Sequence, residues 1–254
     1  MSDDGSAPLD DLFTEPSDYY PPPPPPTQAT HTLLDGREIK VSLVGHNPLW
    51  GHHLWNAGRV LATHFDTYPD LIRNKSVLEL GAAAGLPSLV CALRGAQVVV
   101  ATDYPDTDLI ANLAANVERV RSMDGCGAVE AEGLLWGASP ESVLSHLPKP
   151  AVGFDVLVLA DLLFNHSEHA KLVLTLQQTL RKSPHARAYV YFTPYRPWLL
   201  EKDLAFFDVA REGGFRVEKV SETVMERVMF EEDRGDELLR RTVFGYELAW
   251  AEGV

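Results

Sequence analysis

One stretch limits what this chain can fold into more than any other: Val77-Leu78-Glu79-Leu80-Gly81-Ala82-Ala83-Ala84-Gly85-Leu86-Pro87. A short apolar run ends in an acid, crosses a loop with almost no side chains, and resumes at helical spacing through Leu86, Leu89, Val90 and Leu93. That pattern predicts strand, tight turn and helix in succession. Glycines at Gly81 and Gly85 admit positive φ and let a ligand lie against bare backbone. The helix that follows presents unpaired N–H groups at its start.

A second apolar run, Gln97-Val98-Val99-Val100-Ala101-Thr102, ends in Asp103. The spacing from Gly81 to Asp103 fits one βαβ unit, with the second acid placed to grip ribose hydroxyls. A glycine loop alone is shared with dinucleotide enzymes and with ordinary strand-to-helix turns. The arrangement here is E-x-G-x-x-x-G rather than G-x-G-x-x-G, and it resembles the S-adenosylmethionine loop of class I methyltransferases.

The 254 residues suit one large domain preceded by a tail. A core of that size needs no disulfide or metal staple. Two cysteines, Cys91 and Cys126, are too few for a disulfide framework. With no charged-then-apolar leader and no apolar run of transmembrane length, a cytoplasmic protein is expected. The 36 acidic against 22 basic residues leave a formal charge of −14. Such a surface disfavours nucleic-acid backbone as the partner and suits either a basic protein substrate or simple solubility.

Residues 1–30 are expected to be a disordered acidic, proline-rich tail, with 31–254 as the folded domain. The tail holds Asp3, Asp4, Asp10, Asp11, Glu15 and Asp18, no base, and the run Pro21 to Pro26. Too little of it is apolar to offset ordering entropy, and the prolines favour a polyproline II rod that Tyr19 and Tyr20 would anchor. From Thr32 to Val44 apolar residues flank Asp35-Gly36, a two-residue hairpin signal. The segment Asn47 to Gly58 follows, rich in tryptophan and histidine. His52 and His53 are adjacent and therefore diverge, which disfavours a two-histidine metal face, and no metal is expected. Trp55 opens a helix and serves either to cover a cofactor or to pack the core.

Asp106 to Arg121 reads as a helix on which Asn112 and Asn116 look structural. Gly127 to Leu135 reads as a strand ending at Trp136, where strand C-termini line a ligand crevice and an aromatic can stack on adenine. Phe154 to Ala160 is a buried parallel strand running into Asp161-Leu162-Leu163-Phe164-Asn165-His166. Asp161 belongs to the crevice or is a hydrogen-bond acceptor for its loop. Ser167 is placed to cap a helix over 168–180. Arg187 to Phe192 is the next strand, Leu199 to Glu212 a helix, and Phe215 to Met229 with Arg241 to Trp250 a closing antiparallel pair.

These residues together resemble the family 16 seven-strand methyltransferases. The likeness runs through Asn47 to Gly58, the glycine loop, Leu135-Trp136-Gly137, Asp161 to His166 and Thr193-Pro194-Tyr195-Arg196-Pro197. It implies an α/β fold, a seven-strand, Rossmann-like class I methyltransferase sheet with an N-terminal β-hairpin extension. It implies S-adenosyl-L-methionine as cofactor, held by Trp55, Gly81, Ala82, Ala83, Asp103, Trp136 and Ala160. It also implies methylation of the N-terminal glycine amine and adjacent lysine of translation elongation factor 1-alpha; charge and hydropathy lead to the expectation of no nucleic-acid or membrane partner, and a monomer is expected. Asp161 to Phe164 matches the family's D-x-x-F/Y substrate signature. On chemical grounds Asp161 would dock the incoming ammonium, Asn165 would hold the amine lone pair in line, and His166 would accept a proton unless it only starts a helix. A methyltransferase acting on another protein lysine or on a small amine such as nicotinamide, a nucleotide-dependent oxidoreductase, and a non-catalytic adaptor are the competing readings.

Overall fold

Alternation between polar and apolar residues builds an N-terminal hairpin, β1 (Thr27–Thr32) against β2 (Glu38–Leu43), with Ile39, Val41 and Leu43 turned inward. The computed structural model describes residues 25–251. Tyr19, Tyr20 and most of the expected proline rod lie outside the described residues. Two expectations shift here. The tail boundary at residue 30 falls inside β1, because Thr27 to Thr30 pair with Lys40 to Leu43. Asp35-Gly36 lies within a five-residue connection, closed by Leu33 N–H donating to Arg37 O (2.8 Å), rather than forming a two-residue turn.

The remaining strands form one seven-stranded sheet. They are β3 (Ser76–Leu80), β4 (Val98–Asp103), β5 (Ala128–Gly133), β6 (Val156–Ala160), β7 (Arg187–Phe192), β8 (Phe215–Val224) and β9 (Thr242–Trp250), in the order β5-β4-β3-β6-β7-β9-β8. The five strands β5-β4-β3-β6-β7 pair in parallel, and β9 runs antiparallel to both neighbours. The central strands are continuous apolar runs because helices cover both faces. Those helices are α1 (Asn56–Thr67), α2 (Leu86–Leu93), α3 (Thr107–Arg121), α5 (His169–Thr179) and α6 (Leu200–Glu212), with short turns α4 (Glu141–Leu144) and α7 (Glu237–Arg240). This is the expected class I methyltransferase sheet with its hairpin extension. The strand order reverses between the parallel neighbours β3 and β6, so the crevice belongs outside their carboxyl ends.

Side chains fix these elements to one another. Asp106 caps α3 by accepting from the N–H groups of Asp108 (3.1 Å) and Leu109 (3.0 Å). Helix α2 starts at Gly85, which has no side chain to cap it. Glu79 does so from β3, its Oε2 accepting from Ser88 N–H (3.0 Å) and Ser88 Oγ–H (2.5 Å). Asn112 and Asn116 are structural, as their spacing implied: both donate to Ser42 O at 2.9 Å, docking the hairpin on α3. Ser167 does not cap α5. The chain enters that helix through a 3-10 turn at His166–Glu168, so α5 begins only at His169. Among the described residues no helix is long and apolar enough to cross a membrane.

Candidate functional site: two adjoining cavities

The glycine loop leaves β3 at the sheet's reversal point. Gly81 (φ +61°), Ala83 (φ +48°) and Gly85 (φ +77°) all adopt left-handed backbone. For Ala83 this costs about 1–2 kcal/mol, and three hydrogen bonds over-determine the conformation. Ala82 N–H donates to Thr102 O (2.9 Å), Ala83 N–H to Asp103 Oδ2 (2.6 Å) and Gly85 N–H to Ala82 O (2.7 Å). Asp103 Oδ1 accepts from Tyr104 N–H (2.7 Å), so this carboxylate sets the loop while keeping lone pairs for a ligand. Burial raises its pKa against the two backbone hydrogen bonds.

A cavity of about 340 Å³ opens against this loop, within the range of small-molecule sites. Trp55, Gly81, Ala83, Asp103, Trp136 and Ala160 all line it. Ala82 does not; it lies behind the loop, 8% exposed. A Cβ on Gly81 would stand 2.5 Å from Leu162 Cδ2 and 3.3 Å from the Trp136 ring, so bare backbone is required there. A carboxylate with free lone pairs, an indole and a stretch without side chains match the hydroxyls, flat base and close approach of a nucleoside cofactor.

Strand β6 delivers Asp161, which the expectation of ammonium docking singled out. It is 6% exposed and has φ +55°, a conformation that aspartate tolerates better than most residues. Its Oδ1 accepts from Thr193 N–H (2.6 Å) at the end of β7, and its Oδ2 from Ala57 N–H (2.9 Å) in the first turn of α1. Tyr195 Oη lies 3.4 Å from the same Oδ2 and accepts from Asn56 N–H (3.1 Å). Burial pushes the Asp161 carboxyl up to about 7 despite these donors. Asp161 therefore ties β6, β7 and α1 together.

Beyond Asp161 lies a second cavity of about 250 Å³. Its aromatic wall comes from Trp50, Trp55, Phe164, Phe192, Tyr195 and Phe230, and its carboxylates from Asp161, Asp203 and Asp233. Trp50, Trp55, Asp161 and Phe164 line both cavities and form the partition between them. Trp50 is also left-handed (φ +64°), and its carbonyl accepts from Trp55 Nε1–H (3.1 Å).

The other two expected catalytic residues part company. Asn165 lines the first cavity. His166 turns toward α6, its Nε2 lying 2.7 Å from Oδ1 of Asp203, which itself lines the second cavity. Burial raises the Asp203 pKa, with the His166 hydrogen bond opposing it. Phe230 and Asp233 are not among the residues the sequence points to, and Tyr195 enters there only as part of the Thr193 to Pro197 likeness. Tyr195 follows the end of a parallel strand and was findable on that ground. Phe230 and Asp233 sit in the β8–β9 connection and carried no signal.

A family model described as lysine methyltransferase matches residues 34–212. The protein N-terminal and lysine N-methyltransferase efm7 of Emericella nidulans is 47% identical over 248 residues, covering 95% of this chain and 96% of the relative. The protein of the same name in Schizosaccharomyces pombe is 45% identical over 242 residues, covering 93% and 94%. Among solved structures, the 16S rRNA N2 methyltransferase RsmC of T. thermophilus, in complex with AdoMet and guanosine, is similar in fold. It gives a TM-score of 0.51 at 18% identity, covering 92% of this chain and 52% of that one.

Proposed function

Since the chain belongs to the lysine methyltransferase family, we propose that it methylates a protein N-terminal amine and a lysine from S-adenosylmethionine, with translation elongation factor 1-alpha as the protein modified. The observation that carries this reading is the shared partition. A cavity suited to a nucleoside and a cavity suited to an amine meet at Trp55 and Asp161. The names of the relatives in Emericella nidulans and Schizosaccharomyces pombe support the two kinds of amine. The family resemblance supports the elongation factor, and the chain's formal charge of −14 suits a basic partner.

In the proposed arrangement Asp103 holds ribose hydroxyls, Trp136 and Trp55 enclose the cofactor, and Gly81 and Ala83 let it approach the backbone. Ala82 acts from behind, through its bond to Thr102 O. S-adenosylmethionine supplies an electrophilic methyl group on a sulfonium, so the chain's own work is positioning. The amine must be neutral when it attacks. An α-amine of pKa about 8 meets that condition more readily than a lysine of about 10.4. Asp161 is a positioning residue whose two oxygens already hold Thr193 and Ala57. Docking of the ammonium falls instead to the exposed Asp233. Asn165 orients the nitrogen lone pair from the cofactor side, and the proton leaves through Asp203 to His166.

The test is to incubate the protein and S-adenosylmethionine with elongation factor 1-alpha bearing a free N-terminal glycine, then map methyl groups by mass spectrometry. The expected result is methylation at the terminal amine and the neighbouring lysine, lost in Asp103→Ala. No methylation, with cofactor binding confirmed by calorimetry, would discard this substrate.

A further inference from the structure

We infer that the second cavity binds its occupant as a cation and binds it more tightly with each methyl group it carries, so that a fully methylated ammonium is a ligand of this site in its own right. The inference rests on the amine-site reading above and adds what that site prefers.

Three rings make the corner of the cavity. Trp55 and Tyr195 lie 5.1 Å apart at 59°, Trp55 and Phe230 5.9 Å apart at 62°, and Tyr195 and Phe230 5.8 Å apart at 70°. Each ring is steeply inclined to the other two, so none stacks on another, and all three line the cavity. Ring faces attract a cation through the π quadrupole, most strongly where water is excluded. Three carboxylates line the cavity, against one guanidinium, Arg196, which donates to Phe164 O at 3.1 Å.

Methylation changes which of these walls matters. As methyl transfers, the nitrogen lone pair forms the new N–C bond while the S–C bond breaks, so nitrogen gains the positive charge that sulfur loses. That charge arises inside the cavity. Each methyl also replaces an N–H, which weakens hydrogen bonding to the carboxylates, lowers the desolvation cost and enlarges apolar contact. A trimethylated nitrogen has no proton to lose and stays cationic until it departs. Aromatic walls favour that species; a purely carboxylate site would favour the unmethylated one.

Part of this wall is built apart from the cofactor half. Phe230 and Asp233 lie beyond residue 212, where the family match ends. Their loop is held by Arg240, 6% exposed, whose Nη1–H donates to Phe230 O at 2.7 Å. The β8–β9 connection thus supplies acceptor preference to a general methyl-transfer scaffold.

The test uses the full chain and three peptides of one sequence, monitored by calorimetry. One begins with free glycine, one with N,N,N-trimethylglycine, and one with a neutral 3,3-dimethylbutanoyl group of the same shape. The trimethylated peptide is expected to bind about tenfold tighter than the neutral isostere, and tighter than free glycine. Phe230→Leu should bring the charged-to-neutral ratio toward one, with S-adenosylmethionine affinity reporting that the fold is intact. Equal binding of charged and neutral peptides would overturn the inference, as would tighter binding of free glycine. If those results accompany methylation of the free peptide, only the inference falls. If no peptide binds and none is methylated, the amine-site reading falls with it.

Discussion

Asp161→Asn should change how stability depends on pH, and the sign follows from where the carboxyl sits. Burial holds Asp161 at about 7, against an ordinary value of 3.8. A carboxyl raised in the folded state binds its proton more tightly there than in the unfolded chain. Its contribution to stability is therefore complete below the unfolded pKa and is lost as pH climbs toward the folded one. Between about pH 5 and about pH 8 the loss integrates to about 2.5 kcal/mol. Asparagine accepts φ +55° and does not titrate, so the variant lacks this loss. It must instead turn an NH₂ toward one of two backbone donors, Thr193 N–H or Ala57 N–H, leaving it unpaired at about 1–3 kcal/mol. At low pH the variant should be the weaker protein. By pH 8 the difference should have closed or reversed, because the wild type alone has declined. Urea denaturation followed by tryptophan fluorescence, at four pH values across this window, measures both curves. A difference that stays flat, or widens as pH rises, would refute the placement of a buried, raised carboxyl at Asp161.

Gly81→Ala would set a Cβ 2.5 Å from Leu162 Cδ2 at φ +61°; it should cost about 1–2 kcal/mol of stability and, by calorimetry, about tenfold in S-adenosylmethionine affinity. Asn116→Ala strands Ser42 N–H and Ala84 O, bonded at 2.8 and 3.1 Å, and should lower urea stability by about 2–4 kcal/mol. Burial raises Glu79 to about 8, so it is mainly protonated at neutral pH. Glu79→Gln should then cost less than about 1 kcal/mol at pH 7, and Glu79→Ala about 2–4 kcal/mol, which thermal melts would separate. His166→Gln should shift the pH profile of kcat while leaving S-adenosylmethionine binding intact, if the proton leaves through Asp203.

Features carried by local pattern were legible in the sequence. The loop from Glu79 to Gly85, the runs that became β4, β6 and β7, and the antiparallel closure by β8 and β9 need only nearest neighbours to be recognised. Features that depend on which distant groups meet were not. Glu79 caps α2 because the turn brings Ser88 back over β3, and the acid before the loop said nothing of that. His166 and Asn165 are adjacent in sequence yet serve different sides, because Asp203 on α6 draws the imidazole away. Asp161 reads as either a crevice residue or a loop acceptor, and only the assembled fold makes it line both cavities while its oxygens accept from Thr193 and Ala57. Phe230 reaches the site only when β8 and β9 pair, and no local pattern announces such a placement. Thr27 to Thr30 read as tail because these mostly polar strand residues lack the apolar alternation that marks β2.

Trp50, Trp55, Asp161 and Phe164 face both cavities, so an occupant of either one touches the wall of the other. Whatever factor one occupant imposes on the affinity of the other is returned unchanged in the opposite direction, since linkage is reciprocal. A KM measured for the amine therefore carries the cofactor concentration within it. Substitutions in the wall, Trp55 above all, will move both constants and belong to neither ligand alone. Only a binding cycle closed on all four sides, each ligand titrated with and without its neighbour, assigns their effects.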